Sequence, residues 1–159
     1  MRPLMNISLV VAIILIGAVF GAGFYESVVM APNYAANVPN SLEHAKEFFS
    51  VANPGNFFRL VAPVTQITLL IALVFNWRGA PERRWWIFGA LIFAVVTDVV
   101  TFSFHYPRNA ILFTDPMNTP PDVLREAVGQ WIYGNYVRVA FLLSGFVCTI
   151  RAVMVRALP

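Results

Sequence analysis

Apolar positions in this chain neither recur with the period of an amphipathic helix nor alternate as in a half-buried strand. They run unbroken in four blocks, over residues 7–31, 57–76, 85–104 and 131–155. Each is near or above the roughly 20 residues that a helix rising about 1.5 Å per residue needs to cross hydrocarbon. The lack of alternation excludes a β-barrel, and helices are the other way to satisfy a backbone in lipid. The pattern predicts an all-α four-transmembrane-helix bundle, a single domain over residues 1–159. A cleaved secretion signal does not fit the first block: the run is too long, Glu26 interrupts the cleavage region, and Pro32 follows Ala31.

Between the blocks the sequence is punctuated. The first span is expected to break at Pro32, where a helix loses a backbone donor. A short interfacial helix is expected from Asn40 or Ser41, carrying Glu43, His44, Lys46 and Glu47 before Phe48 and Phe49. Asn53-Pro54-Gly55-Asn56 reads as a turn and cap leading into the second span, and Gly79 with Pro81 as a tight connection between the second and third. The last connection, from His105 to Gln130, is expected to hold a short helix over 123–128 and to form a lid over a cavity or a docking surface.

Composition fits this picture, with 58% hydrophobic residues and only 12% charged. A soluble domain needs roughly twice that charged fraction to cover its surface. The few charges set the topology. Arg2, Arg78, Arg83, Arg84, Arg151 and Arg156 fall on one side of four crossings, which makes that side, with both the N and C termini, cytoplasmic. The two long connections are slightly acidic and belong outside. Trp77, Trp85 and Trp86 mark the inner interface, and Trp131, Tyr133 and Tyr136 the outer one. The net charge of +3 is thus a topology signal, and no basic stripe with stacking aromatics points to nucleic acid. Membrane lipid is the expected surrounding, in the cytoplasmic membrane. Cys148 stands alone and forms no internal disulfide.

Charges inside the spans are costly unless paired or facing a polar cavity, and so they mark the place to look for function. Asp98 lies thirteen residues from Trp85, and Arg138 thirteen residues before Arg151, which puts both roughly 20 Å from the inner edge. An Asp98–Arg138 ion pair is the expectation. Asp98, Thr101 and His105 share one helix face, as do Trp131, Asn135 and Arg138, and these faces can line one cavity. Thr65 and Gln66 add a polar wall from the second span, with Glu26 and Arg59 nearer the mouth; snorkelling toward the interface is the plainer role for Arg59. Gly17, Ala18, Gly21 and Ala22 suit close helix packing.

The chemistry open to these residues is narrow. His44 and His105 are the only histidines and neither sits in a ligand motif, so neither a metal nor another cofactor is expected. There is no phosphate loop or nucleophile elbow. An intramembrane Asp, Glu and His would suit a proton relay, but no pair of broken helices argues for alternating access. What remains is acid–base work on an apolar aromatic molecule arriving from the lipid. In that reading His105 and Asp98 move protons, Arg138 stabilises an enolate or phenolate, Asn135 or Asn109 donates a hydrogen bond, and Trp131 and Tyr136 hold a flat ring.

The glycine-containing first span ending Tyr25-Glu26 and Pro32, then Pro107-Arg108-Asn109, and Trp131 with Asn135 and Arg138, resemble domain-of-unknown-function family 1772, which includes anthrone oxygenase-like proteins. The resemblance follows the span order over nearly the whole chain. It implies oxygenation of a polycyclic anthrone-type phenol to a quinone, with no clearly assigned metal or flavin. By position it places Asn109 and its neighbours, Asn135 and Arg138 against the substrate. Two readings stand at this point: an oxygenase with an outer-leaflet pocket, built on Glu26, Arg59, Gln66, Asn109, Trp131, Asn135 and Tyr136 around His105, Asp98 and Arg138, or a non-catalytic accessory subunit of a homo-oligomer or larger membrane complex.

Overall fold

A computed structural model of the chain describes residues 2–77 and 81–155, with the side chains of residues 2 and 3 left aside. The expectations resting on Arg78, Gly79 and Arg156, and on the side chain of Arg2, lie outside the described residues. The helical segments are α1 (Arg2–Tyr25), α2 (Ala31–Ala35), α3 (Asn40–Phe48), α4 (Pro54–Asn76), α5 (Pro81–Val100), α6 (Tyr106–Phe113) and α7 (Pro121–Met154).

Two wide turns join some of these into longer rods. A π-helical turn, Glu26–Met30, links α1 to α2, and another, Thr101–His105, links α5 to α6. The two are built alike. The N–H of Ala31 reaches back five residues to the Glu26 carbonyl, that of Tyr106 to the Thr101 carbonyl, and a proline, Pro32 or Pro107, comes next. A proline lacks the N–H for the next helical bond and its ring crowds the carbonyl four residues back. One wide turn shifts the ladder, so the chain stays helical where Pro32 was expected to end it.

Four helices, Leu4–Ala35, Pro54–Asn76, Pro81–Phe113 and Pro121–Met154, are long and apolar enough to cross a membrane. This is an integral membrane protein of the all-α class. The first, third and fourth rods have 32, 33 and 34 residues, about a dozen more than hydrocarbon requires. Their extra turns stand beyond the bundle at the end that carries the two long connections, here called the loop end. Residues 123–128 are therefore the second turn of α7 rather than a separate short helix. Asn53 caps α4, its N–H donating to Asn56 Oδ1 at 3.1 Å, and Pro54 opens the helix three residues ahead of the expected apolar block.

Packing runs α1 to α4, α4 to α5, α5 to α7, and α7 back to α1, so the rods form a ring in sequence order. Outward faces carry the apolar residues that meet lipid, such as Ile14, Leu60 and Val74. Inside there are three layers. At the termini end Leu9, Ile16, Leu69, Ile87, Ala90 and Cys148 form a dry core. At the loop end Tyr34, Leu42, Leu112, Leu124 and Trp131 make a second core from the protruding turns and α3. The polar residues lie between the two.

Close approach of α7 to its neighbours depends on small residues. An added Cβ at Gly145 would sit 2.9 Å from Ile16 of α1, and one at Gly134 would sit 2.3 Å from Phe104. Gly17 packs against Phe146, whereas Gly21 meets nothing within 4 Å, so the glycines of α1 do not act as one stripe. At the termini end the Arg84 guanidinium lies 5.3 and 5.4 Å from the rings of Trp77 and Trp85, and Arg151 lies 5.4 Å from Trp86. This is the aromatic and basic belt that the sequence places at an interface.

Candidate functional site

Between the two cores lies a cavity of about 540 Å³, within the range that holds a small organic molecule. Its floor is apolar, with Ile16, Val19, Ala94 and Leu142. Aromatic rings surround the rest: Tyr34, Phe58, Phe113 and Trp131 inside, Phe102 and Tyr106 toward the edge. Phe102 and Tyr106 remain 60% and 42% exposed, and the wall residue Pro63 is exposed too. Since α6 packs on α7 and α3 rather than on α4, the side between α4 and the α5–α6 rod is where the cavity meets the lipid-facing surface.

Arg138 and Asp98 both line this cavity, but they do not pair with each other. An Arg138 Nη donates to Glu26 Oε2 as a buried ion pair, and Gln66 Nε2 donates to Asp98 Oδ2 at 2.5 Å. The reason lies in side-chain direction. Each Cα–Cβ bond leans toward the N-terminus of its helix. On α7 that direction is the loop end and on α5 the termini end, so at equal depth Arg138 rises while Asp98 falls away from it. Glu26, placed higher, at the start of the π turn that continues α1, leans down to meet Arg138. Gln66 of α4 rises to meet Asp98 in the same way.

The pairings leave the two charged groups in different states. Arg138 uses one guanidinium nitrogen on Glu26, has the Phe58 ring 5.0 Å away, and leaves its Nε without a partner. Its other nitrogens make no side-chain or backbone hydrogen bond among the described residues. Asp98 is part-buried and receives one neutral hydrogen bond, with no cation in contact among the described residues. The wall threonines contribute less: Thr65, Thr97 and Thr101 donate their hydroxyls to carbonyls one turn back, at 2.7, 2.8 and 2.8 Å.

Of the expected site residues, Glu26, Arg59, Gln66, Asp98, Asn109, Trp131 and Arg138 are brought to the cavity. Three stand off its wall. Tyr136 points outward and is 56% exposed. Asn135 is buried between α7 and the first π turn, where its amide donates to Ser27 Oγ at 2.7 Å, and Ser27 in turn donates to the Gly23 carbonyl at 3.0 Å. His105 is buried behind Trp131, the rings edge to face at 5.5 Å and 88°, and neither ring nitrogen has a hydrogen-bond partner among the described residues. Trp131 links the buried His105 ring to the cavity, because its Nε1 donates to Asn109 Oδ1 at 2.7 Å.

Of the aromatic wall the sequence pointed only to Trp131. Tyr34, Phe58, Phe102 and Phe113 carried no signal beyond general apolarity, since nothing in a uniformly apolar run says which ring faces inward. Ser27 beside Glu26 was the one polar neighbour that adjacency could have flagged. No group of three His, Cys, Asp or Glu side chains forms a ligand set among the described residues.

These features define a small four-helix membrane protein with an aromatic-walled, charged cavity between two packed cores. Comparison with protein families gives the particular kind: the sequence matches the anthrone oxygenase family over residues 48–148, well over half of the chain, and it belongs to that family. The matched stretch holds Arg59, Gln66, Asp98, Asn109 and Arg138 but neither α1 nor Glu26 of the first π turn, so it is shorter than the near-complete resemblance expected from the spans. No curated protein and no solved structure matches the chain.

Proposed function

We propose that the protein oxygenates a hydrophobic polycyclic phenol of the anthrone type, received from the outer leaflet through the gap between α4 and the α5–α6 rod. In this reading the molecule is one integral domain of the cytoplasmic membrane, its termini on the cytoplasmic side by the weight of the short-connection arginines. The observation that carries it is the placing of one unpaired carboxylate, Asp98, and one guanidinium with spare donors, Arg138, on the wall of a 540 Å³ aromatic cavity. A polar network that served only to orient the helices, as in an accessory subunit, would be packed solid.

The central ring of an anthrone carries a CH2 group opposite a carbonyl. Asp98 takes one proton from that carbon, and the charge moves through the ring to the carbonyl oxygen. Arg138, held in place by Glu26, stabilises it there. The electron-rich anion passes one electron to O2, and the resulting pair joins to form a C–O bond. The peroxide takes up the proton held by Asp98. Loss of the second C–H proton with cleavage of the O–O bond then gives the new carbonyl, so that one substrate and one O2 become one quinone and one water. His105 enters this scheme as the ring that backs Trp131, and through it Asn109.

The test is conversion of anthrone to anthraquinone by purified protein in nanodiscs, corrected for spontaneous oxidation. Loss of a general base lowers kcat by about 10²–10⁴-fold, and Asp98→Asn is expected to fall in that range. Equal rates for wild type and Asp98→Asn would remove Asp98 from the reaction, and no rate above background in either would sink the oxygenase reading.

A further inference from the structure

The cavity wall carries more positive charge than the proposed chemistry uses. Arg59 of α4 and Lys46 of α3 both line it toward the loop end, in addition to Arg138. Arg59 Nε donates to the Gly55 carbonyl at 3.2 Å, which fixes the base of the group and leaves its terminal nitrogens without a hydrogen bond or ion pair among the described residues. Lys46 has Glu43 at 3.6 Å, but Glu43 is not on the wall. Of the wall's own carboxylates, Glu26 pairs with Arg138, while Asp98 accepts from the neutral amide of Gln66, two turns along α4 from Arg59, and makes no ion pair with Arg59 or Lys46 among the described residues. The mouth therefore presents Arg59 with no carboxylate in ion-pair contact among the described residues, and beside it Lys46, whose one carboxylate contact lies off the wall. The first turn of α4, also on the wall, adds the positive end of its dipole.

We propose that the substrate carries an anionic group, a carboxylate on its ring system, held at the mouth by Arg59 and Lys46 while the rings lie against Phe58 and Trp131. The proposal rests on the oxygenase reading and names the substrate class for the same cavity. A guanidinium matches a carboxylate with two parallel hydrogen bonds, and the ammonium adds a point charge. Such a molecule is an amphipath: its rings partition into lipid while its acid stays at the interface, which is the level of Arg59 and Lys46. A neutral phenol would leave the Arg59 guanidinium without an anionic partner.

The experiment measures binding as well as turnover, in nanodiscs of zwitterionic lipid. Anthraquinone and anthraquinone-2-carboxylate are titrated against tryptophan fluorescence, and anthrone and its 2-carboxylate are compared as substrates. The carboxylated member of each pair is expected to be preferred at least about tenfold, with Arg59→Gln and Lys46→Gln each lowering that ratio about fivefold. Arg59→Lys should restore part of it, and 0.5 M salt should weaken it, since about 4 Å of screening length leaves little of a surface charge contact. A ratio near one, or one unmoved in the Lys46→Gln, Arg59→Gln double variant, overturns the proposal. So does a wild-type ratio that collapses when phosphatidylglycerol is added, because the cations then serve a lipid headgroup. If neither anthrone is turned over yet the binding ratio and its charge dependence hold, the anion site stands and the oxygenase reading fails. If anthrone is turned over with a ratio of one, the reverse follows.

Discussion

Replacing Gly134 by alanine tests how α7 and the second π turn hold each other. The new methyl carbon would sit 2.3 and 2.6 Å from two ring carbons of Phe104 and 3.3 Å from His105 Nε2. Ordinary carbon contacts lie near 3.5–4.0 Å, so the overlap exceeds 1 Å and the ring must move. It is not free to do so, because the Arg108 guanidinium is 3.5 Å from its centroid and also donates to the Phe104 carbonyl at 2.9 Å and to Gln130 Oε1 at 3.0 Å. Overpacking of this kind costs about 1–3 kcal/mol, and loss of the Arg108 stack about 0.5–1 kcal/mol more. We expect Gly134→Ala to destabilise the protein by about 2–3 kcal/mol in SDS titrations followed by tryptophan fluorescence in mixed micelles. Phe104→Ala opens the space, so adding Gly134→Ala to that variant should cost little. A neutral Gly134→Ala, or one equally costly with and without the Phe104 ring, would refute the steric reasoning.

Two further perturbations probe the charged layers. Glu26→Gln and Arg138→Gln should each cost about 3 kcal/mol, because either leaves one buried charge without its partner, while the double variant should cost clearly less than their sum; additive losses in the same titration would show that the ion pair is not formed. Arg83, only 5% exposed, donates to the Val155 carbonyl at 2.6 Å and to Asn6 Oδ1 and Asn76 Oδ1 at 3.4 Å, joining the ends of α1, α4 and α7. Arg83→Gln should therefore lower stability by about 2 kcal/mol and Arg83→Lys should recover less than half, whereas a wild-type melting midpoint for Arg83→Gln would mean that the residue serves topology alone.

Arg83 also shows how far the sequence could be read. As an arginine in a short connection it was counted toward orientation, which needs only its position along the chain. That it also ties three helix ends together depends on where α1 begins and α4 and α7 finish in space, with the Val155 carbonyl and the side-chain amide oxygens of Asn76 and Asn6 standing in for a carboxylate. The prolines divide in the same way. Pro32 and Pro107 visibly strain a helix, yet whether the chain breaks or widens by one residue is settled by the burial that continued helix makes possible at Ala31, Tyr34 and Leu112.

The class of protein, the number and order of its spans, and the presence of charges within them are legible in the chain alone. Runs of apolar residues answer to lipid alone, and an intramembrane charge is conspicuous wherever it falls. Which group meets which depends on how the helices pack. Asp98 and Arg138 line one cavity, but on antiparallel helices their side chains lean apart. Arg138 therefore went to Glu26 and Asp98 to Gln66. The same holds for the aromatic wall: in a helix apolar all round, the face that turns inward is chosen by the neighbours it packs against, and no period in the sequence records that choice.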